Sequence, residues 1–558
     1  MYEEFRDQAM ALLAATLAEK GIELEEPAFE EPPQNYGDLA TALCFDLAPK
    51  LKKSPKEIAD ATVQKMDLSK APLISAVKAE KGYINFFLDY QKFSRELLIR
   101  IVSMGEDYGR DGNEGKIILE HTSANPNGPL HIGHGRNTII GDCLARILRF
   151  SGYDVETQFY VNDMGKQMAL VVFGLRKIEL DGSKKKDHAI AAVYAKANKI
   201  VEKNPALDEE ISKLIQGYEA GDEEIVSEFK NAVGYCLNGI KETLSRLAVD
   251  HDTYVWESQF VRDSSVKRIV EDLEKTKYAK RDEVLLLELK DFGIEKELVL
   301  TRKDGTYLYT TRDLAYHLWK SKGGKVIDVW GADHKLVAQQ MRAVLEILGK
   351  EEPEFIIYEF ITLPEGSMST RRGVYISVDD LVDESIRRAL AEVEKRRPDA
   401  IDAEKRGIAE TVGVGAVRYN IARISPEKGM VFKWEEALDF ERQGSPFIQY
   451  AHARACRILE KAELTKDFEV HDLSEHEKKL VLMISKFPTI IGDASKARKP
   501  SIIAGYALTL ADTFNRFYKF EPVLKSEEVD FRLNLVEATR IALRNALALL
   551  GIVAPDRM

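Results

Sequence analysis

Residues 116–134 read KIILEHTSANPNGPLHIGH. The run from Lys116 to Glu120 is short, apolar and β-branched, as a buried strand requires. Asn125-Pro126-Asn127-Gly128-Pro129 breaks it, because proline and glycine end regular structure. Ile139, Ile140, Leu144, Ile147 and Leu148 then recur at helical spacing, and residues 155–161 resume as a strand after Gly152. Strand, loop, helix, strand is the βαβ unit of a parallel nucleotide-binding sheet.

His131-Ile132-Gly133-His134 falls where that first strand gives way to its helix. Unpaired N–H groups and the positive end of the helix dipole favour phosphate there. Two imidazoles three residues apart can share one side of the first turn and donate to a phosphate whose charge grows in a transition state. Gly133 between them lets a base or ribose approach the backbone. Taken alone, the same tetrapeptide also fits two capping or core histidines.

Outward from this unit, the chain divides by pattern. Phe5, Ala9, Leu12, Leu13 and Leu17 mark an amphipathic first helix that Gly21 would stop, followed by a turn at Pro27, Pro32 and Pro33. Residues 83–88 read as a strand, and residues 105–116 as a linker. A small α+β domain over residues 1–110 is expected. Residues 111–405 are expected to form an α/β catalytic domain with a Rossmann-type parallel sheet, interrupted by a helical insertion at about 166–300 with Lys184-Lys185-Lys186 in an exposed loop. Strand signals return at Tyr307-Leu308-Tyr309 and at residues 326–330. Residues 406–558 are helical in pattern, closing with an apolar helix over 535–550, and read as an all-α helix bundle.

At ~100–200 residues per domain, 558 residues also suggest three or four domains. Lys plus Arg count 80 and Asp plus Glu 92, a net charge of −12, which argues against a protein that coats nucleic acid indiscriminately. A local basic groove is still compatible with that total. Cys44, Cys143, Cys236 and Cys456 are far apart, with no CxxC pair, so zinc is not expected and four buried thiols are. With no signal-peptide pattern and no apolar run of ~20 residues, a cytoplasmic protein without a membrane partner is expected.

Ala124 to His134, ANPNGPLHIGH, resembles the HIGH signature of class I aminoacyl-tRNA synthetases in the form carried by arginyl-tRNA synthetases. The same family's pattern continues in Gly141-Asp142, Tyr160-Val161-Asn162-Asp163-Met164-Gly165, Asp304-Gly305-Thr306-Tyr307, Asp313-Leu314-Ala315-Tyr316-His317, Gly331-Ala332-Asp333-His334 and Tyr450-Ala451-His452-Ala453-Arg454. Tyr36-Gly37-Asp38 and Tyr83-Ile84-Asn85-Phe86 are similar to that family's extra N-terminal domain. The resemblance spans nearly the whole chain.

It implies an ATP-dependent ligase that forms arginyl-adenylate and transfers arginine to tRNA(Arg), with Mg²⁺ arriving with ATP and no protein-bound metal. His131 and His134 become transition-state stabilisers, with Gly133, Asp333 and His334 at the nucleotide. The second class signature, KMSKS, is represented by Ser367-Met368-Ser369-Thr370-Arg371-Arg372-Gly373. Thr370 stands in place of its lysine, so Met368 and Ser369 would line ATP and Arg371 or Arg372 would supply the cation. Glu120, Ser123, Asn125, Tyr309 and Asp313 would bind L-arginine. A phenol and a carboxylate four apart on a helix can clamp a planar guanidinium. Some members of the family place a glutamine after the later strand, where this chain reads Gly331-Ala332-Asp333. The resemblance also implies a monomer, and tRNA bound before arginine is activated.

Its C-terminal bundle would meet the anticodon stem and loop, with Phe447, Tyr450, Tyr506, Phe514, Phe517 and Tyr518 beside Lys496, Arg498, Lys499 and Arg516. Aromatics at helical spacing are more often core than stacking platforms. Arg387, Arg388, Arg396 and Arg397 could lie on the acceptor path or on a solvated helix face. Three alternatives stand beside this reading: a HIGH-bearing nucleotidyltransferase for a small metabolite, a catalytically inactive paralogue, and a synthetase for another amino acid.

Overall fold

The computed structural model describes residues 1–19, 22, 23, 28–33, 35–303, 305–362 and 376–558. Gly21, Pro27, Asp304, Met368, Ser369, Arg371 and Arg372 lie outside the described residues. Strand β1 (Lys116–Glu120) buries Ile117, Ile118 and Leu119 in succession, so both of its faces are covered. It is central in a five-stranded sheet with β2 (Asp154–Val161), β3 (Thr253–Trp256), β4 (Lys325–Gly331) and β5 (Glu354–Tyr358). The order is β5-β4-β1-β2-β3, and every pair is parallel. From β1 the chain runs through helix α1 (Ile132–Phe150) to β2 on one side, and returns to the other edge of β1 only at β4. The order reverses between β1 and β4, and the crevice beyond their carboxyl ends is where open sheets bind ligands.

Between β2 and β4 the chain departs from the expected pattern. Helices Gly165–Lys177, Lys186–Lys203, Asp208–Ala220 and Glu223–Arg246 form the first part of the insertion, and Glu257–Arg262 and Ser265–Glu274 add two more, but strands interrupt the helical pattern after Arg246. The edge strand β3 follows, and then a small antiparallel sheet of Ala279–Arg281, Leu285–Leu287 and Leu298–Val299. The exposed lysine loop is corrected too. Lys186 opens a helix, and Lys185 Nζ donates to Asp187, Thr243 and Asp379 between 2.5 and 2.9 Å. Tyr307 makes only a single bridge to Thr301, and helix α2 (Tyr309–Lys320) begins where a strand was expected to end. Helix α3 (Lys335–Ile347) joins β4 to β5.

At the N-terminus, helix Tyr2–Ala18 buries Phe5, Ala9, Leu12, Leu13 and Leu17 in a core shared with a four-stranded antiparallel sheet that includes Tyr83–Leu88. The C-terminal part comprises α4 (Val378–Arg396), α5 (Asp402–Ala422), α6 (Ser445–Leu459), α7 (Pro500–Phe520) and α8 (Val529–Leu549), with shorter helices between them. The closing helix starts earlier than its apolar run, and Phe531 and Leu533 are already buried.

Two buried arginines tie these parts to α1. Arg136 Nη1 donates to the carbonyl oxygens of Glu359 (2.6 Å) and Phe360 (3.1 Å), and Nη2 to that of Lys428 (2.7 Å). Arg418 on α5 donates from Nε to the Leu550 carbonyl (2.8 Å), from Nη1 to the Leu247 carbonyl and from Nη2 to the Asp142 carboxylate on α1. Gly551, in the left-handed region at φ +66°, leaves room for that guanidinium: a Cβ there would fall 2.0 Å from Arg418 Nη2. The four cysteines are free and buried.

Candidate active site

The turn after β1 is wound against its residue types. Thr122 and Ser123 have φ of +70° and +36°, and a β-branched residue is costly there. Side chains hold the strain. Thr122 N–H donates to Asn137 Oδ1 at 2.6 Å, and Asn137 Nδ2 donates in turn to the Val329 carbonyl at the end of β4 (2.7 Å). Ser123 Oγ donates to Glu120 Oε1 (2.9 Å) and accepts from Tyr160 N–H (3.0 Å). One turn into α1, Asn137 thus clamps both strand ends at the switch point.

His131 is the N-cap of α1. Its Nδ1 accepts from the N–H groups of Gly133 (3.0 Å) and His134 (3.3 Å), while its own N–H faces His134 Nδ1 (3.4 Å). The rings stack with centroids 3.6 Å apart. Because each Nδ1 accepts, the ring proton sits on Nε2. Burial lowers His131, and it lowers His134 to about 3, so both imidazoles are neutral donors at neutral pH. Gly133 is required by this arrangement, since a Cβ would sit 2.8 Å from His131 Cε1.

Beyond the turn lies a cavity of about 330 Å³. Glu120, Ser123, Asn125, His131, Gly133, His134, Tyr309, Asp313, Asp333 and His334 all line it, so every described residue singled out from the sequence for ATP or arginine meets in one place. They are not equivalent within it. Tyr309 is 56% exposed, at the mouth. Asp333 pairs with His334 Nδ1 (3.2 Å) on the wall. Asn125 Nδ2 donates to Gln167 (3.0 Å) on the insertion side. Glu120 is buried, and Lys320 Nζ already reaches its Oε2 at 2.5 Å. Its carboxyl is raised to about 7 by burial against the pull of Lys320, with Asp328 and Asp313 adding to the rise.

Glu257 and Tyr160 are among the lining residues that the sequence reading did not assign to the site. Glu257 opens the short helix after β3; its Oε1 pairs with Arg312 Nε (2.7 Å), and its Oε2 is buried with no hydrogen-bond partner among the described residues. Burial raises Glu257 to about 7, Arg312 opposes this, and Asp163 and Asp313 add to it. Tyr160 stacks on Tyr316 (4.3 Å, 8°), and its buried hydroxyl also has no partner among the described residues. Orphan polar atoms facing a cavity point to a ligand. The only sequence signals were Tyr160 within the Tyr160-Val161-Asn162-Asp163 run and, for Glu257, a carboxylate just after a short β-rich stretch.

Other candidates separate by environment. Tyr506, Phe514 and Phe517 are core, whereas Tyr450 and Tyr518 are exposed and flank the Arg454 guanidinium at 4.8 and 4.9 Å. Lys496 is exposed. Arg498 pairs with Glu354, Lys499 with Glu427 and Arg516 with Asp512. Arg387 and Arg388 both pair with Glu384, Arg397 pairs with Glu404, and Arg396 lies over the Phe440 ring.

A parallel sheet with a histidine-capped helix at its switch point, opening on one nucleotide-sized cavity, defines the catalytic domain of a class I aminoacyl-tRNA synthetase. Residues 98–434 match the family model described as tRNA synthetases class I (R), catalytic domain. Residues 448–558 match the DALR anticodon binding domain, and residues 7–88 the arginyl tRNA synthetase N terminal domain. The chain belongs to the arginyl-tRNA synthetase family. It is 53% identical to an arginine–tRNA ligase of Methanocaldococcus jannaschii, over 94% of this chain and 95% of that one. It is 51% identical to that of Methanothermobacter thermautotrophicus over the full length of both. Among solved structures, the arginyl-tRNA synthetase of Thermus thermophilus superposes with a TM-score of 0.83 at 29% identity, covering 98% of this chain and 99% of that one.

Proposed function

We propose that the cavity performs the two steps of an arginine–tRNA ligase with the residues placed as follows. ATP lies with its α-phosphate at the start of α1, where the Nε2 protons of His131 and His134 face it. Gly133, Asp333 and His334 flank its ribose and base. L-Arginine enters past Tyr309 with its guanidinium toward Asp313, the orphan oxygen of Glu257 and the Tyr160 hydroxyl. Ser123 and Asn125 hold its amino-acid end, and Glu120 supplies negative charge behind them.

The arginine carboxylate attacks the α-phosphate and pyrophosphate leaves. The terminal adenosine hydroxyl of tRNA(Arg) then attacks the adenylate carbonyl, releasing AMP. Charge develops on the phosphate in the first step, and neutral donors fixed before the reaction stabilise it without reorganising. Mg²⁺ would arrive with ATP and rest mainly on its phosphate oxygens. By their place in the motif, Met368 and Ser369 are assigned to ATP, and Arg371 or Arg372 to the cation that KMSKS lysines supply elsewhere.

Residues 1–110, 111–405 and 406–558 serve as tRNA-contacting, catalytic and anticodon-binding domains. Tyr450, Tyr518 and Arg454 form the exposed aromatic and basic group suited to unstacked bases. The enzyme acts as a cytoplasmic monomer, with tRNA bound before activation. The observation that carries this reading is the convergence of two neutral imidazole donors and two carboxylates, Asp313 and Glu257, on one cavity. ATP–pyrophosphate exchange with each amino acid, with and without tRNA(Arg), tests it. Exchange is expected with arginine and only when tRNA is present; exchange with another amino acid, or with none, overturns the assignment.

A further inference from the structure

Behind the arginine end of the cavity, Asp313 and Glu120 are joined by His317, Lys320 and Asp328, three groups to which the reaction above gives no role. Asp313, His317 and Lys320 follow at i, i+4 and i+7 on α2, one stripe facing the sheet. Glu120 of β1 and Asp328 of β4 are register partners on adjacent strands, so their carboxylates leave the sheet on the same side. Lys320 Nζ donates to Glu120 Oε2 (2.5 Å) and to Asp328 Oδ1 (2.6 Å). His317 Nε2 donates to Asp328 Oδ2 (2.9 Å). Its Nδ1 donates to the Asp313 carbonyl (2.9 Å), with the Asp313 carboxylate at 3.3 Å.

Apolar and aromatic groups seal this chain. Tyr316 lies under Lys320 Nζ at 4.2 Å and stacks on Tyr160, while Trp330 and Phe355 close around His317. Five titratable groups packed together in this way are a poor route to stability, since apolar side chains of equal volume would do as well. Their arithmetic suggests another use. Three carboxylates, Glu120, Asp328 and Asp313, are served by two cations, Lys320 and His317. Exposure identifies the one left over: the side chains of Asp328 and Glu120 are 0% and 5% exposed, that of Asp313 18%, at the cavity.

We propose that His317, backed by Asp328 and Lys320, is a positioning residue that locks the Asp313 carboxylate in the orientation that meets the substrate guanidinium. The proposal rests on the arginine reading above. One imidazole N–H reaches both the carbonyl and the carboxylate of Asp313, which fixes that side chain against its own helix turn. The second N–H anchors the ring to the sheet through Asp328, and Lys320 ties Asp328 to Glu120. The guanidinium then meets a carboxylate already oriented, and binding loses less side-chain entropy.

The experiment compares His317→Leu, His317→Asn and His317→Gln in the full-length chain, by arginine-dependent ATP–pyrophosphate exchange with tRNA(Arg) present. Asn places its amide N–H near the Nδ1 position and keeps the link to Asp313; Gln reaches toward Nε2 and keeps only the link to Asp328. The KM for arginine is expected to rise about tenfold or more in the Leu and Gln variants. It should stay within about threefold of the parent in the Asn variant, with the KM for ATP unchanged in all three. Equal arginine KM values in the Asn and Gln variants, or a parallel rise in the KM for ATP, would overturn the positioning role. If the Leu variant does not fold by circular dichroism, the Asn and Gln pair decides alone. A parent chain without arginine-dependent exchange refutes the pocket reading and the relay with it, whereas an active parent with all three variants unchanged refutes only the relay.

Discussion

The two ends of the cavity solve opposite electrostatic problems within one small space. At the end proposed for the phosphates, His131 and His134 would face a highly charged ligand yet carry no charge themselves, because burial keeps both rings neutral. At the end proposed for arginine, Glu257 sits with Arg312, and Asp313 with His317, Asp328, Lys320 and Glu120, in a lattice of ion pairs. A fixed cation at the first end would hold ATP and pyrophosphate as firmly as the transition state, and such uniform binding does not raise kcat. A neutral surface at the second would not distinguish a guanidinium from its uncharged isosteres. Dipoles serve where charge changes during the reaction, and fixed charges serve where it does not.

That contrast can be attacked from either end. The largest effect is expected for Asp313→Asn, which leaves a bound guanidinium without its carboxylate: kcat/KM for arginine should fall about 10³-fold in pyrophosphate exchange while the KM for ATP holds. His134→Ala should instead lower kcat by about 10²-fold with both KM values nearly unchanged, as loss of a transition-state donor does. A rise in the KM for ATP without loss of kcat would contradict that role.

For Glu257→Gln, titration of arginine against the exchange rate should show KM raised roughly tenfold, because only one charged oxygen at the pocket is lost. Gly133→Ala forces the His131 ring away from a Cβ that would lie 2.8 Å from it, and about a tenfold drop in kcat is expected, with a melting temperature near that of the parent.

The smallest effect is a pH dependence of stability. Burial and Lys320 lower His317, but the carboxylates of Asp313 and Asp328 outweigh them and leave it raised to about 9. A proton held more firmly in the folded state stabilises fully below the ordinary histidine value of 6.5, and that contribution is lost as pH rises through 9. Thermal unfolding between pH 7 and pH 9.5 should therefore show a decline that His317→Asn abolishes.

Much of this was legible in sequence because it is local. The strand before Glu120, the loop of Pro126 and Pro129, and the histidine-started helix are written in consecutive residues. Tyr309 and Asp313 share a helix face by spacing alone. Contacts made across the sheet were not legible. Glu120 meets Lys320 and Asp328 only because β1 and β4 pair in a particular register, although they are far apart along the chain. Glu257 was hidden because β3 has four residues and sits inside a stretch whose charge and periodicity read as helix. Tyr307-Leu308-Tyr309 has the composition of a strand, but β propensity is a preference for half-buried pleats rather than a backbone code. Here the segment ends one bridge and begins α2. Lys185 looked solvated within a lysine triplet, and only folding brings Asp187, Thr243 and Asp379 around it.

Arg418 has a consequence for how the chain is made. Its guanidinium joins Asp142 of α1, the Leu247 carbonyl after the insertion and the Leu550 carbonyl near the end of the chain. A ribosome emits these segments in order, so the first two are available long before the third. Until residue 550 has emerged, the helix that His131 caps is bound to an arginine that lacks one of its acceptors. Chains that lack α8 and the turn after it should therefore be cut faster by proteases, because α1 is then held by an arginine short of one acceptor.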